Sequence, residues 1–564
     1  MTFDQFPYTR PDLGQISTNF DKLLSQFSST KDENLAYSTL MEINELRANF
    51  DSMVNLAHIR HSMDTKDVFY ESENDFFDEN NPRFEALNTR FYQALLASPH
   101  RHFLEKKLGS HLFVTADLLT KTFRPEILED LQKENALGSE YDKIKAQAMI
   151  ELDGTTYNLS TINPLELSSD RDLRKRAADA KWNFYAENST KIESIYADLV
   201  KTRTDIAQKL GFKNFVETGY VRMQRSDYNA EMVAVFRQQI LDHVVPLAQK
   251  LYERQRQRLG LDRLLHFDED FKYPSGNPTP KGSPDWIVEN ADKMYRELSG
   301  ETGEFFTEMR QTGLMDLTNR DGKQMGGYCT YVSNHQAPFI FSNFNGTSHD
   351  IDVLTHEAGH AFQVWSSRGF EVNEYHWPTY EACEIHSMSM EFFTWPWMHL
   401  FFKEDTEKYR FAHLAGAIQF LPYGIAVDEF QHVVYENPDM SPAERNAAWH
   451  KIEQKYMPGR DYNGLEFLAK GGFWQKQSHI FSSPFYYIDY CLAQICAFQF
   501  WKRDRENHAA AWKSYVELCS AGGSKSFLSL VKLAGLRSPF EPGCVESVVD
   551  EITKWLESVD DSKF

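Results

Sequence analysis

Ser348-His-Asp-Ile-Asp-Val-Leu-Thr-His356-Glu357-Ala358-Gly359-His360-Ala-Phe-Gln-Val-Trp365-Ser-Ser-Arg-Gly369 reads as one buried helix. Ser348 is a residue type that caps helix N-termini, and Asp350 and Asp352 put acids in the first turn, where the helix dipole favours them. Gly369 is a C-terminal stop. Ile351, Leu354, Ala358, Ala361, Phe362 and Trp365 supply the apolar face. His356 and His360 are four apart, about 40° round the axis and one turn along it. Both imidazoles can therefore reach one ion, and His-Glu-x-x-His predicts a zinc site, one Zn2+ per chain. Glu357, one residue on, lies beside such an ion, where it can take a proton from water. Gly359 predicts that another element packs close. The bland alternative, two solvated histidines, is opposed by the apolar flanks.

Zinc needs a third protein ligand. The next predicted helix begins after Pro378-Thr379 and runs Tyr380-Glu-Ala-Cys-Glu384-Ile-His386-Ser-Met-Ser-Met-Glu391-Phe-Phe-Thr-Trp395. Glu384 and Glu391 are seven apart, about 20° round the axis, on one face. Two acids on a largely apolar helix need a cation opposite them. Glu384 is expected to bind the metal, and Glu391 to accept the remaining N–H of a ligating histidine. His376, His386 and Cys383 are rivals; His386 lies about 200° from Glu384 and points elsewhere.

The chain has 82 acidic and 60 basic residues, a net charge of -22. That balance disfavours nucleic acid and anionic membranes as partners. No run is long and apolar enough to span a bilayer, and Met1-Thr-Phe-Asp-Gln-Phe6 has neither a basic nor an apolar leader region. The six cysteines form no Cys-x-x-Cys pair and read as free thiols, so the expected compartment is cytoplasmic.

Helical periodicity dominates elsewhere: Leu35–Met63 with Leu40, Ile43, Leu46, Phe50 and Met53 on one stripe, then Phe84–Leu96, Pro125–Gln147, Arg171–Leu210 and Met232–Leu259. Glu151–Leu159 alternates around Asp-Gly and predicts a hairpin; Phe339–Phe344 predicts a strand. Tyr273–Pro284, with its prolines and glycines, predicts a surface loop. The expected division is a helical lobe over 1–190 and a catalytic lobe over 191–564.

These residues resemble the thimet oligopeptidase and oligoendopeptidase F family of gluzincins, metallopeptidases with a glutamate as third ligand. The resemblance rests on His356-Glu-Ala-Gly-His360 followed by Glu384-Ile-His-Ser-Met-Ser-Met-Glu391. It extends to Tyr8-Thr-Arg-Pro-Asp-Leu13, Asn343-Phe-Asn-Gly-Thr347, Asp428-Glu-Phe-Gln-His432 and Gly522-Gly-Ser-Lys-Ser-Phe527, and so covers nearly the whole chain. Within the family the chain looks most like the bacterial Pz-peptidase type, which acts on collagen-derived peptides.

The resemblance implies a mostly α fold: two helical lobes around a deep substrate channel, with a small β-sheet beside the zinc helix. It implies a metalloendopeptidase for short peptides, with no membrane partner and the oligomeric state open. Phe339, Ile340, Phe341, Ser342 and Asn343 would then form an edge strand on which a peptide lies. It further implies that His479 and the tyrosines after it bind substrate and the oxyanion: Tyr490 first, then Tyr486, with Tyr487 lining the substrate. The carry-over is imperfect, because Pro484 stands where animal members have a tyrosine. Two alternatives stand beside this reading. One is an exopeptidase of dipeptidyl carboxypeptidase type on the same scaffold. The other is a non-catalytic peptide-binding protein with a structural zinc, which would need four protein ligands and no use for Glu357.

Overall fold

Three aspartates start the long helices. Asp32, Asp67 and Asp170 each accept first-turn N–H groups, opening α1 (Glu33–Met63), α2 (Val68–Ala97) and α3 (Arg171–Leu210). The computed structural model describes all 564 residues and is mostly helical, with two small sheets. The predicted hairpin forms: Ile150–Leu152 pairs with Thr155–Tyr157 across Asp153 and Gly154, both at positive φ as a tight hairpin turn demands. The helix expected over Met232–Leu259 widens into a π stretch at Ile240–Val244. Pro246 lacks the N–H that an α-helix would use there and crowds the preceding turn.

The site's scaffold follows in chain order: β1 (Met315–Thr318), β2 (Tyr328–Val332), β3 (Ala337–Phe344), α4 (His349–Ser367), α5 (Tyr380–Phe393), α6 (Thr406–Glu436) and α7 (Tyr487–Glu506). The sheet order is β1-β3-β2. β3 pairs parallel with β1 (Met315 with Ile340) and antiparallel with β2 (Tyr328 with Phe341). It is therefore the central strand, which corrects the expectation that Phe339–Phe344 is an edge. Phe339, Ile340, Phe341 and Ser342 are buried, and both backbone edges are taken.

One apolar core runs from Phe3 near the N-terminus to Leu556 in the last long helix; a smaller one lies among the first helices and takes in Val372 and Tyr375. The first helices also grip the segment leading into α5. Arg47 pairs with Glu374 at 2.8 Å, both buried, and Tyr92 donates to the same carboxylate at 2.7 Å. Behind that segment Gly523 donates its N–H to the Tyr375 carbonyl at 3.0 Å. A Cβ at Gly523 would lie 2.2 Å from the Trp377 carbonyl oxygen, so no other residue fits. The division expected at 190/191 falls inside the unbroken α3.

α4 rests on β3 and against α5, which packs in turn on α7. Gly359 sets the closeness of the first crossing. A Cβ there would sit 2.6 Å from the Ser387 Cα and 2.7 Å from the His386 carbonyl oxygen, both backbone atoms of α5. Gly359→Ala should therefore push the two helices apart and cost about 1–3 kcal/mol. Denaturant titration checks it; an unchanged midpoint would mean that the crossing is not tight.

Candidate metal centre and active site

His356 and His360 project from α4, and Glu384 from α5 meets them. The donor atoms of the three lie within 4.8 Å of one another. Glu384 Oε2 stands 3.2 Å from His356 Nε2 and 3.4 Å from His360 Nε2, and its side chain is 1% exposed. Of the flanking residues expected to bury this helix, Ile351, Leu354, Ala358, Ala361 and Phe362 are fully buried, while Trp365 is half-buried. Ser348 makes no capping hydrogen bond. Asp350 reaches back instead, accepting from the N–H groups of Asn345 at 2.8 Å and Gly346 at 2.9 Å.

The protons of this cluster can be placed. The Trp395 indole N–H, which can only donate, bonds His413 Nδ1 at 3.2 Å. His413 thus carries its proton on Nε2 and donates it to Glu391 Oε2 at 2.7 Å. The other oxygen of Glu391 accepts from His356 Nδ1 at 2.7 Å. His356 Nε2 then faces a carboxylate oxygen of Glu384 at 3.2 Å. Only a proton on that nitrogen, or a metal ion in its place, lets the two groups meet in a buried site.

The electrostatics agree. Burial opposes charge on His356, yet the carboxylates of Glu384 and Glu391 overcome it and hold its pKa well above the ordinary imidazole value. Burial pushes the Glu384 carboxyl up, and His360 and His356 draw it well below the usual carboxylate range. Glu391, also buried, is held down to about 2 by His356 and His413. His360 Nδ1 and Glu357 Oε2 are buried with no hydrogen-bond partner. Two imidazoles and a carboxylate aimed at one point, beside an unsatisfied glutamate, fit a divalent metal. The rival ligands turn elsewhere: His386 Nδ1 bonds the Ala382 carbonyl at 2.5 Å, His376 Nε2 the Phe370 carbonyl at 3.1 Å, and the Cys383 thiol the Pro378 carbonyl at 3.6 Å.

The site opens on a cleft of about 810 Å³ whose walls include His356, Glu357, His413, His479, Tyr487 and Tyr490. Burial keeps His479 neutral, its pKa pushed down to about 4, with Lys145 adding to the effect. Tyr423 donates to Gln477 Oε1 at 2.7 Å, which turns the Gln477 amide N–H toward His479 Nδ1, also at 2.7 Å. The His479 proton is then on Nε2, directed at the Tyr490 oxygen 3.2 Å away. Because Tyr490 accepts that bond, its own O–H is free to donate.

Tyr486 differs from the expectation. Its hydroxyl donates to Glu384 Oε1 rather than facing the cleft, so it supports the third ligand. The turn that sends Tyr486 and Tyr490 their separate ways is strained: Phe485 is fully buried at φ +68°. It is held by Gln431, which accepts from its N–H at 2.8 Å, and by Arg225, which donates to its carbonyl at 2.6 Å. Arg225 also pairs with Asp489 at 2.8 Å, with both side chains fully buried. Asn343, expected on the substrate, instead donates its amide to the carbonyls of Gln324 and Gly326, both at 2.8 Å, and braces the approach to β2.

His413, Trp395 N–H, Gln477 and Tyr423 are the functional partners that sequence reasoning missed. Trp395 lies 18 residues from His413, His413 22 from Glu391 and Tyr423 54 from Gln477; Gln477, two residues before His479, is the exception. Only Trp395 and Gln477 sit near a motif, and neither follows a spacing rule.

Residues 3–123 match the peptidase M3 N-terminal domain, and residues 300–549 match peptidase family M3. Among solved structures, the chain is similar to PZ peptidase A bound to an inhibitor: 58% identity, TM-score 0.98, covering 99% of this chain and 100% of that one. It is also similar to a protein provisionally assigned as oligoendopeptidase F (56%, TM-score 0.99, 100% of both chains). Another with that provisional assignment, from Bacillus anthracis, is 53% identical with a TM-score of 0.94, over 100% of this chain and 99% of the other. No curated protein matches the sequence. With both family segments present and relatives more than half identical over its whole length, the chain belongs to peptidase family M3.

Proposed function

We propose that this protein is a zinc-dependent endopeptidase of short peptides. The observation that carries the reading is the convergence of His356, His360 and Glu384 beside the unpartnered Glu357 carboxylate, on the floor of a cleft. His356, His360 and Glu384 would hold the ion. Bound there, zinc supplies Lewis acidity that polarises a carbonyl and lowers the pKa of water. Three protein donors leave a position open, as catalysis needs and a structural site does not.

Glu357 takes the proton of the attacking water on its free carboxylate oxygen and delivers it to the leaving amine. Tyr490 donates its O–H to the oxygen that becomes negative, and His479, neutral and fixed by Gln477, orients that hydroxyl. Glu391 and His413 hold His356 in the tautomer that presents Nε2. Tyr487 lines the substrate.

The peptide strand is assigned to β2 rather than β3. Asn55 donates to the Tyr331 carbonyl at 3.0 Å, so that carbonyl points away from β3. Backbone groups alternate along a strand, so those of Cys329 and Gly327 point the same way, and Gly327 stands beside Val353 and Glu357. An added strand there bonds main chain to main chain and reads little sequence, which suits broad specificity. The names of the similar proteins, oligoendopeptidase F and PZ peptidase, favour cleavage inside oligopeptides. Collagen-derived peptides are a candidate class through the resemblance to the Pz type alone. No helix is long and apolar enough to cross a membrane, and the free cysteines suit a reducing cytoplasm.

A peptide acetylated at one end and amidated at the other separates this reading from the exopeptidase one. Mass spectrometry should find it cut at an internal bond, and not cut when a chelator is present; an intact doubly blocked peptide beside a trimmed free one would favour the exopeptidase. Glu357→Gln should lower kcat on the order of 10²–10⁴-fold while the protein still binds zinc. Near-normal turnover in that variant rules out Glu357 as the base. Glu391→Ala and His413→Ala should each weaken zinc about 10–100-fold without abolishing binding. Competition with a fluorescent chelator measures this, and unchanged affinity in both would dissolve the tautomer argument.

A further inference from the structure

Beside the catalytic floor the cleft wall changes sign. A smaller cavity of about 290 Å³ shares Glu166, Lys181, Asp270, Lys272 and Lys476 with the main cleft and adds Arg460 and Glu269. Four cations face three acids there, in a chain whose acids outnumber its bases by 82 to 60. Three of the four cations are satisfied. Lys181 pairs with Glu166 at 2.5 Å, and Arg460 with Glu269 at 2.7 Å. Lys272 donates to Gln419 Oε1 at 2.9 Å and to the Glu269 carbonyl at 2.6 Å.

Lys476 has no such partner. Its ammonium makes no ion pair and donates no hydrogen bond to protein. It is half-buried in an aromatic cage, 4.3 Å from the Phe473 ring centre, 5.4 Å from Tyr423 and 5.9 Å from Trp182. Those rings are shared with other cations: Arg460 lies 4.7 Å from Phe473 and Lys181 5.7 Å from Trp182. Burial, with Lys181 and Arg460 nearby, pushes the Lys476 ammonium down to about 8. Asp270 and Glu166 on the same wall offset part of that shift without pairing with the ammonium. Aromatic faces favour a cation but complete none of its hydrogen bonds, so the ammonium keeps its donors free for an anionic ligand. It also lies three residues before His479, on the segment that carries Gln477, so it is placed on the catalytic wall.

We propose that Lys476 is a substrate subsite that binds a carboxylate of the peptide within the active cleft. The carboxylate comes either from the peptide's C-terminus or from an aspartate or glutamate side chain. Both present the same two oxygens, and a charge-assisted bond to a partly buried ammonium outweighs a neutral one. This subsite rests on the peptidase reading of the cleft. It would give an otherwise sequence-tolerant enzyme one anchoring preference, and a C-terminal anchor would also act as a ruler.

The test measures binding of one peptide in three forms: free acid, C-terminal amide, and free acid with each Asp or Glu changed to Asn or Gln. Binding is measured on the Glu357→Gln background, so that the answer does not depend on turnover. The free acid should bind about tenfold more tightly than one of the neutralised forms. Loss on amidation identifies the C-terminus, and cleavage of longer peptides by the unmodified enzyme then falls at a fixed distance from that end. Loss at one Asp or Glu identifies the side chain. Lys476→Met should erase the difference and Lys476→Arg should keep it; Lys476→Gln serves if the methionine variant does not fold. Equal binding of all forms, or a preference that survives Lys476→Met, overturns the subsite. Failure of the unmodified enzyme to cut any form overturns the peptidase reading instead, whatever the binding shows.

Discussion

A glutamate carboxylate shut away between two imidazole nitrogens is the constraint on which this molecule is built. Glu384 is almost wholly buried, and its Oε2 faces Nε2 of His356 at 3.2 Å. Such a buried cluster demands positive charge at its centre, a proton on the imidazole or a metal ion in its place. The surrounding residues hold the three ligand side chains in place. Gly359 lets α4 and α5 cross at backbone contact. Tyr486 and Ser387 bond the two oxygens of Glu384. Glu391, His413 and Trp395 fix one imidazole's proton. A divalent cation would satisfy all three side chains at once, and the tight packing fits a cage for it.

The cage was legible in the sequence because its parts obey local spacing. Four residues separate the histidines and seven separate Glu384 from Glu391, so helix geometry alone brings each pair to one face. Gly359 was legible for the same reason, as a small residue in the middle of a buried helix. His413 was not: it is a single histidine on α6, 22 residues beyond Glu391, and no periodicity points from one to the other. The tyrosines were half legible. Their clustering followed from helical spacing, but which hydroxyl faces Glu384 and which faces the cleft depends on the positive φ of Phe485. No residue type advertises that; a phenylalanine there is held only by Gln431 and Arg225, both distant in sequence.

Strand order was misread for a related reason. Pattern identifies a strand but not its neighbours. The run Pro338-Phe-Ile-Phe341 carried the missing signal, because a near-continuous apolar stretch marks a strand covered on both faces, whereas a strand with one solvated face alternates. Once β3 is central, β2 is left at an edge, and Gly327 just before it stands beside Val353 and Glu357, with no side chain between the strand and the proposed base. In the proposed reading the same cleft joins three kinds of recognition: a backbone edge, the Tyr490 hydroxyl oriented by His479, and the cation at Lys476.

The account stands on one cation in one cage. Its most direct test is zinc content by elemental analysis, taken on the same samples as peptide-cleaving rate while metal is withdrawn and returned. The account predicts that the rate rises in proportion to bound zinc and levels off at one per chain. Cleavage that persists in metal-free protein, or that needs a second equivalent, would contradict it.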